Sequence, residues 1–172
     1  MSGLNRYHYF VEGQFEHKLI NVLKDQQNLI IAGKVDVLNV MQEEITELKL
    51  RTLPSNVIII LIFDTDKPNM DIFKRNLEKL HSFSQVKEVW CVKQVPNLEG
   101  ELERSTKLKD IKQLFGCEGI NEFKEKFIKE KNLYKKLMEV GFALEKMWIC
   151  SDRGKCANIK NEGYKIIKHT KR

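Results

Sequence analysis

The stretch IIILIFDTDKP, residues 58–68, ends an apolar run on Asp64 and Asp66, two carboxylates separated by one residue. Carboxylates held that close repel each other unless a cation sits between them. Oxygen donors with no His or Cys beside them favour Mg²⁺ or Mn²⁺, small ions that keep waters and contact phosphates. An earlier run, YHYFVEG at residues 7–13, also ends on an acid, Glu12, followed by Gly13. Both acids follow segments that read as strands, and in an open parallel sheet ligands bind at the carboxyl ends of strands. If the two strands are neighbours, Glu12, Asp64 and Asp66 converge on one crevice and can hold a divalent ion.

The elements that must position these acids are legible from periodicity. NVIIILIF (residues 56–63) is apolar on both faces and rich in β-branched residues, as expected of a central parallel strand. The first strand is YHYFVE, followed by Phe15, Leu19, Ile20, Val22 and Leu23 at near-helical spacing. NLIIAG and VDVLNV offer a second strand, with Gly33 as a turn or bulge between its parts. QEEITELKLRTL reads as a second amphipathic helix stopped before Pro54, and Pro68 and Asn69 open a third with Ile72, Phe73, Leu77 and Leu80 on one side. VKEVWCVKQV is a fourth strand closed by Pro96. This alternation predicts an α/β, Rossmann-like core with a central parallel sheet of about four strands flanked by helices, over residues 1–98. Residues 99–172 read as a helical appendage packed as one unit with it, including a helix over 121–139 from Phe123, Phe127, Tyr134, Leu137 and Met138.

The 172 residues are 42% apolar and 31% charged, ordinary for one globular domain with a real core. No run reaches the roughly 18 apolar residues of a membrane span, and the N-terminus lacks the pattern of a signal peptide, so the expected location is cytoplasmic. Cys91, Cys117, Cys150 and Cys156 have no C-x-x-C spacing, which argues against zinc and for free thiols. His8, His17, His81 and His169 form no ligand spacing, and Trp90 and Trp148 are expected in the core. The formal net charge of +6 is carried by residues 153–172, which hold seven basic residues against one acid, Glu162. Such a segment suits a polyanion, and Arg153, Lys155, Lys165 and Lys168 are its candidate nucleic-acid contacts.

A strand ending in Glu-Gly, then a helix, then a later strand ending in Asp-x-Asp, resembles the Toprim domain of topoisomerases, bacterial primases, ribosomal RNA maturases and OLD-family nucleases. The matching residues are FVEGQFEHKLI and IIILIFDTD, with GKVDVLNV in the second-strand position. The resemblance covers about residues 7–96. It implies a divalent-metal-dependent nuclease acting on DNA or RNA with Mg²⁺ or Mn²⁺, with Glu12 near the metal or acting as a base and Asp64 and Asp66 as ligands. It further implies an acid after the fourth strand, for which Glu99 is best placed, and a lysine that steadies the scissile phosphate, for which Lys160 is the candidate. The pattern departs from many such domains in that Lys67 and Pro68 follow the aspartates. Small proteins of this type are similar to nucleases of phage-defence loci, which sometimes work beside an ATPase; with no G-x-x-x-x-G-K-[ST] loop here, an ATPase would be a partner protein.

Two other readings are compatible with these residues. The chain is a non-catalytic Toprim-like subunit that binds nucleic acid or a partner, with Lys67 substituting for a metal. Alternatively, IFDTD resembles the aspartyl-phosphate motif of haloacid-dehalogenase phosphatases, although 57 residues precede the strand and no late pair of aspartates follows.

Overall fold

A computed structural model of the protein describes residues 5–168. His169, Lys171 and Arg172, part of the basic segment, lie outside the described residues. Strand β3 (Val57–Asp64) is buried from Val57 to Phe63 because every one of its side chains meets a packed layer. Ile58, Ile60 and Ile62 enter one hydrophobic cluster, and Val57, Ile59, Leu61 and Phe63 enter the other. The two-residue period of a strand sends alternate residues to opposite faces, so an unbroken apolar run marks a strand covered on both.

The sheet has the order β2-β1-β3-β4 and is parallel throughout, with β1 at Arg6–Val11, β2 at Lys34–Val37 and β4 at Val86–Gln94. This is the α/β, Rossmann-like arrangement expected. The chain moves from β1 outward to β2, then doubles back past β1 to reach β3. With right-handed crossovers, that reversal puts the connecting helices on opposite faces. Helix α1 (Gln14–Asn21) packs with one cluster, while α2 (Glu47–Arg51) and α3 (Met70–Ser82) pack with the other. The reversal leaves a crevice between the carboxyl ends of β1 and β3.

The C-terminal residues do not stand apart. Helices α4 (Leu98–Ser105), α5 (Ile120–Lys129) and α6 (Leu133–Glu139) deliver Leu98, Leu102, Phe123, Phe127, Leu133 and Leu137 to the cluster that holds Phe15 and Leu19 of α1. Phe127 meets Phe15 edge-on with ring centroids 4.6 Å apart. Beyond α6 the described residues form only short 3₁₀ turns and loops, and one stretch of them covers the free edge of β4. The Glu162 N–H donates to the Cys91 carbonyl at 2.7 Å, and the Cys91 N–H returns to the Glu162 carboxylate at 3.1 Å. The Lys93 N–H donates to the Asn161 side chain at 3.1 Å. One backbone and two side-chain hydrogen bonds here take the place of a fifth strand and block edge pairing.

Three elements differ from the periodicity reading. The expected helix over 121–139 is two helices, because the Asn132 N–H turns to the Glu130 carboxylate at 2.8 Å and ends α5. The helix expected from Gln42 starts only at its cap, Thr46, whose hydroxyl accepts from the Lys49 N–H. The residues before it form a turn held by buried Asn76 of α3, which accepts from the Ile45 N–H and donates to the Val40 and Glu43 carbonyls. NLIIAG does not join the sheet; Ile30 forms one antiparallel bridge to Ile167. Gly33 lets β2 begin beside β1, since a Cβ there would lie 2.6 Å from the Tyr7 carbonyl oxygen. All four cysteines are free, and no helix among the described residues is long and apolar enough to cross a membrane.

Candidate metal centre

Register sets the positions of the acids. Val11 of β1 pairs with Ile62 of β3, so Glu12 emerges beside Phe63 and Asp64. The Asp64 N–H donates to Glu12 Oε2 at 3.2 Å, a direct link between the two strand ends. Beyond Asp64 the chain is pinned to the end of β4. The Thr65 N–H donates to the carbonyls of Gln94 and Pro96, and its hydroxyl to that of Gln94 at 3.2 Å. Thr65 is thereby buried toward β4, and the acids on either side of it turn the other way, Asp64 half-buried and Asp66 exposed. Asp66 accepts from the Asn97 side chain at 3.2 Å.

Glu12, Asp64, Asp66 and Glu99 line one cleft of about 680 Å³ together with Asn39, Gln42, Asn97 and two lysines, Lys67 and Lys124. A further acid, Glu16, lies just behind. It is buried one helical turn after Glu12, and Gly13 leaves it room, because a Cβ at Gly13 would come 3.3 Å from Glu16 Oε2. The Gly13 backbone is extended, so a side chain there would meet crowding from Glu16 and no conformational strain.

Three of these acids are held toward their neutral forms, burial being the main cause in each. Burial pushes the Asp64 carboxyl up to about 9, with the charges of Glu12, Glu16, Asp66 and Glu99 adding to it. Burial pushes Glu16 up to about 7, with Glu12 adding, while Lys124 opposes the rise. Glu12 is raised too, mainly by burial, against the Asp64 N–H and Asn39, which favour its charged form. The Asp64 Oδ1 oxygen is buried and has no hydrogen-bond partner. An orphaned carboxylate oxygen facing other acids is the place where a divalent ion or a proton belongs. The donor set is all oxygen, which matches Mg²⁺ or Mn²⁺. Among the described residues, no three His, Cys, Asp or Glu side chains already stand close enough to cage an ion.

Glu99 is less free than the other acids. Its carboxylate pairs with Lys124 at 2.6 Å, and Lys124 also lies 5.3 Å over the Phe15 ring. Burial of Lys124 opposes its charge, but Glu99, Glu16 and Asp64 together hold its ammonium above the ordinary lysine range. Its neighbours Glu101 and Glu103 are structural. Glu101 accepts from the N–H groups of Val95 and Trp148 and pairs with Arg104, and Glu103 accepts from the Ile111 N–H.

The basic candidates scatter. Lys155 lines a groove with Lys67 and Gln42, both of which also line the carboxylate cleft. Arg153 is exposed on the same turn. Lys160 is not brought to the carboxylates. It is exposed at the outer edge of β4, because Asn161 and Glu162 beside it are fastened to Lys93 and Cys91. Lys165 pairs with Glu162 at 2.7 Å and covers Trp90. Lys168 bonds Asn28, at the end of the sheet where the strands begin, opposite the carboxylates. His17 contacts Asn21 of its own helix and does not line the cleft.

Sequence reading missed Glu16 and Lys124. The i, i+4 spacing of Glu12 and Glu16 was the available signal for the first. Lys124 had none, since only the packing of Phe123 and Phe127 on Phe15 brings it to the cleft. No protein-family model, no curated protein and no solved structure matches the chain.

Proposed function

We propose that the protein is a divalent-metal-dependent nuclease that hydrolyses phosphodiester bonds of DNA or RNA, as its resemblance to the Toprim domain implies. One observation carries the reading. Glu12 and Asp64 leave adjacent parallel strands at the point where strand order reverses and touch there, with an Asp64 oxygen buried and unpartnered. Glu12, Asp64 and Asp66 would hold Mg²⁺ or Mn²⁺, with Glu16 as a reserve ligand. A bound ion would offset charge on the phosphate and make an attacking water more acidic. Glu16, at about 7, is matched to accepting and returning a proton near neutral pH. Lys67 and Lys124 supply the ammonium groups nearest the cleft and would face phosphate oxygens, the task first assigned to Lys160. Glu99 is the weakest of the ligand candidates, because Lys124 already neutralises it. Action in phage defence beside a separate ATPase belongs to the same proposal.

A second reading draws on Lys67. Lys67 lines the cleft, and its charge could neutralise carboxylates without a metal, which would suit a non-catalytic subunit that binds nucleic acid or a partner. The deciding experiment incubates the purified protein with tRNA, plasmid and single-stranded DNA in Mg²⁺, Mn²⁺ or EDTA. Cleavage that needs metal and is lost in Asp64→Asn supports the nuclease. Binding without cleavage under every condition supports the second reading.

A further inference from the structure

A second concavity, about 590 Å³, lies beyond β4 and is built mostly by the C-terminal segment. Trp148, Tyr164, Ile149 and Ile159 supply apolar walls, and Lys93 of β4 is among the lining. Three polar groups there are poorly satisfied. Lys93 is only 4% exposed; its ammonium donates to the Cys156 carbonyl at 3.2 Å and forms no ion pair among the described residues. Trp148 is 2% exposed, and its indole N–H is buried without a partner. One carboxylate oxygen of Asp152 is buried and unpartnered as well. Buried polar groups are normally paired, so two unpartnered groups beside a buried lysine with a single partner point to a missing occupant.

The cavity wall is held in a costly geometry. Trp148 has φ of 59°, which a bulky residue seldom adopts. Its N–H is fixed by the Glu101 carboxylate at 2.8 Å and its carbonyl by the Asn161 amide at 2.7 Å. Gly163 permits the contact, since a Cβ there would lie 2.5 Å from Trp148 Cβ. At the rim, Tyr164 is 56% exposed, an aromatic face open to a ligand. The turn at residues 152–157 links this cavity to the carboxylates: Asp152 and Ala157 line the cavity, while Lys155 lines the groove that continues through Lys67 and Gln42.

We propose that this cavity is a subsite for an unpaired nucleobase, which stacks on Tyr164 and, as small side-chain shifts uncover them, accepts from Lys93 and the Trp148 indole and donates to Asp152. The phosphate attached to that base would lie along Lys155, toward the carboxylate cleft. The substrate class rests on the nuclease reading above, and the subsite narrows it to single-stranded or frayed nucleic acid. A base paired within a duplex cannot enter a pocket without leaving the stack. The same chemistry is offered by a free nucleotide, so the two sources need separate arms.

The test is done in EDTA, where the carboxylate centre is silent, and it uses a fluorescein-labelled 20-mer single strand, the blunt duplex of the same sequence, and GMP. Binding is read by anisotropy. Occupancy of the cavity is read from iodoacetamide alkylation of Cys150, which lines it, with the other thiols as internal controls. The expected results are protection of Cys150 by the single strand but not by the duplex, and about ten-fold weaker single-strand binding in Tyr164→Ala. Tyr164→Ala should melt as wild type does, which separates lost contact from lost fold. Lys93→Met, which keeps the volume, should weaken single-strand binding too. Protection by GMP but not by the strand would support the same pocket chemistry and assign it to a free nucleotide. No protection by either probe, or wild-type single-strand affinity in Tyr164→Ala, would overturn the proposal. A failure to cleave with metal would bear on the carboxylate centre alone.

Discussion

Two concavities of similar size, about 680 and about 590 Å³, flank β3 and β4, and they are opposites in chemistry. The first gathers Glu12, Asp64, Asp66 and Glu99 from strand ends and the helix after β4. The second gathers Trp148, Tyr164 and isoleucines from loops, with one buried lysine. In the first, burial and neighbouring acids disfavour the charged forms of Asp64, Glu16 and Glu12. The second is strained in its backbone and leaves donors unmet. A carboxylate cluster suits chemistry on a phosphate, whereas an apolar pocket with a few polar groups suits recognition. Under the proposals above, cleavage would rest on strand ends and selection of substrate on the C-terminal loops, so the two would fail separately.

The largest expected effect breaks the first site and spares the second. Asp64→Asn should cut metal-dependent cleavage on the order of 1,000-fold, the rate equivalent of losing several kcal/mol of transition-state stabilisation. Single-strand affinity in EDTA should stay within a factor of about two, and a parallel loss of both would mean that the sites are not separate.

Next comes pH. The folded state holds a proton on Asp64 up to about 9, whereas the ordinary value is 3.8; Glu16 does the same up to about 7, from 4.5. A raised carboxyl stabilises the fold in acid, and that stability is lost as pH rises through the folded value. Metal-free protein should therefore weaken from pH 5 to 9 by about 1.4 kcal/mol per unit for each proton involved, or roughly 3 °C in Tm. Asp64→Asn should flatten the curve, and an equal slope in the mutant would place the titrating groups elsewhere.

Metal should offset that repulsion. At 100 times its Kd, Mn²⁺ should stabilise wild type by about 2.7 kcal/mol at pH 8 and leave Asp64→Asn and Asp66→Asn nearly unmoved. Calorimetry on the three proteins decides the matter, and equal responses would remove the metal centre.

Gly163→Ala attacks the other region. Its Cβ would press on Trp148 at 2.5 Å, so the fold should lose roughly 1–3 kcal/mol. Single-strand binding should fall with it, while cleavage of a substrate at saturating concentration persists.

The smallest effect concerns charge. Lys155→Ala should flatten the log–log salt dependence of single-strand binding by about 0.7, the release of one counterion. Lys168→Ala, at the opposite end of the sheet, should leave the slope unchanged.

The convergence of acids on the first cleft could largely be read from the chain alone. A β-branched run buried on both faces has few alternatives to a central parallel strand, and the rule that ligands sit at strand carboxyl ends then singles out Asp64, Asp66 and Glu12. What local pattern could not supply was strand order. Only the doubling back of the chain, β2 to β3 past β1, makes the Glu12 and Asp64 ends neighbours. The same holds for Lys124, which reaches the cleft because two phenylalanines of α5 dock on Phe15. Lys160 shows the converse: a basic loop has no periodicity to fix its direction, and bonds from Asn161 and Glu162 hold its neighbours at the edge of β4, outside the lining of the carboxylate cleft. The second cavity left no trace in the sequence. Its walls come from Lys93 and from residues more than fifty positions later, brought together by edge bonds and by one glycine that lets two backbones approach. Short-range pattern determines which residues are strand, helix and strand end, because backbone geometry repeats every two or 3.6 residues. Contacts between distant segments depend on loop paths and on which buried groups find partners, and only the folded chain decides those.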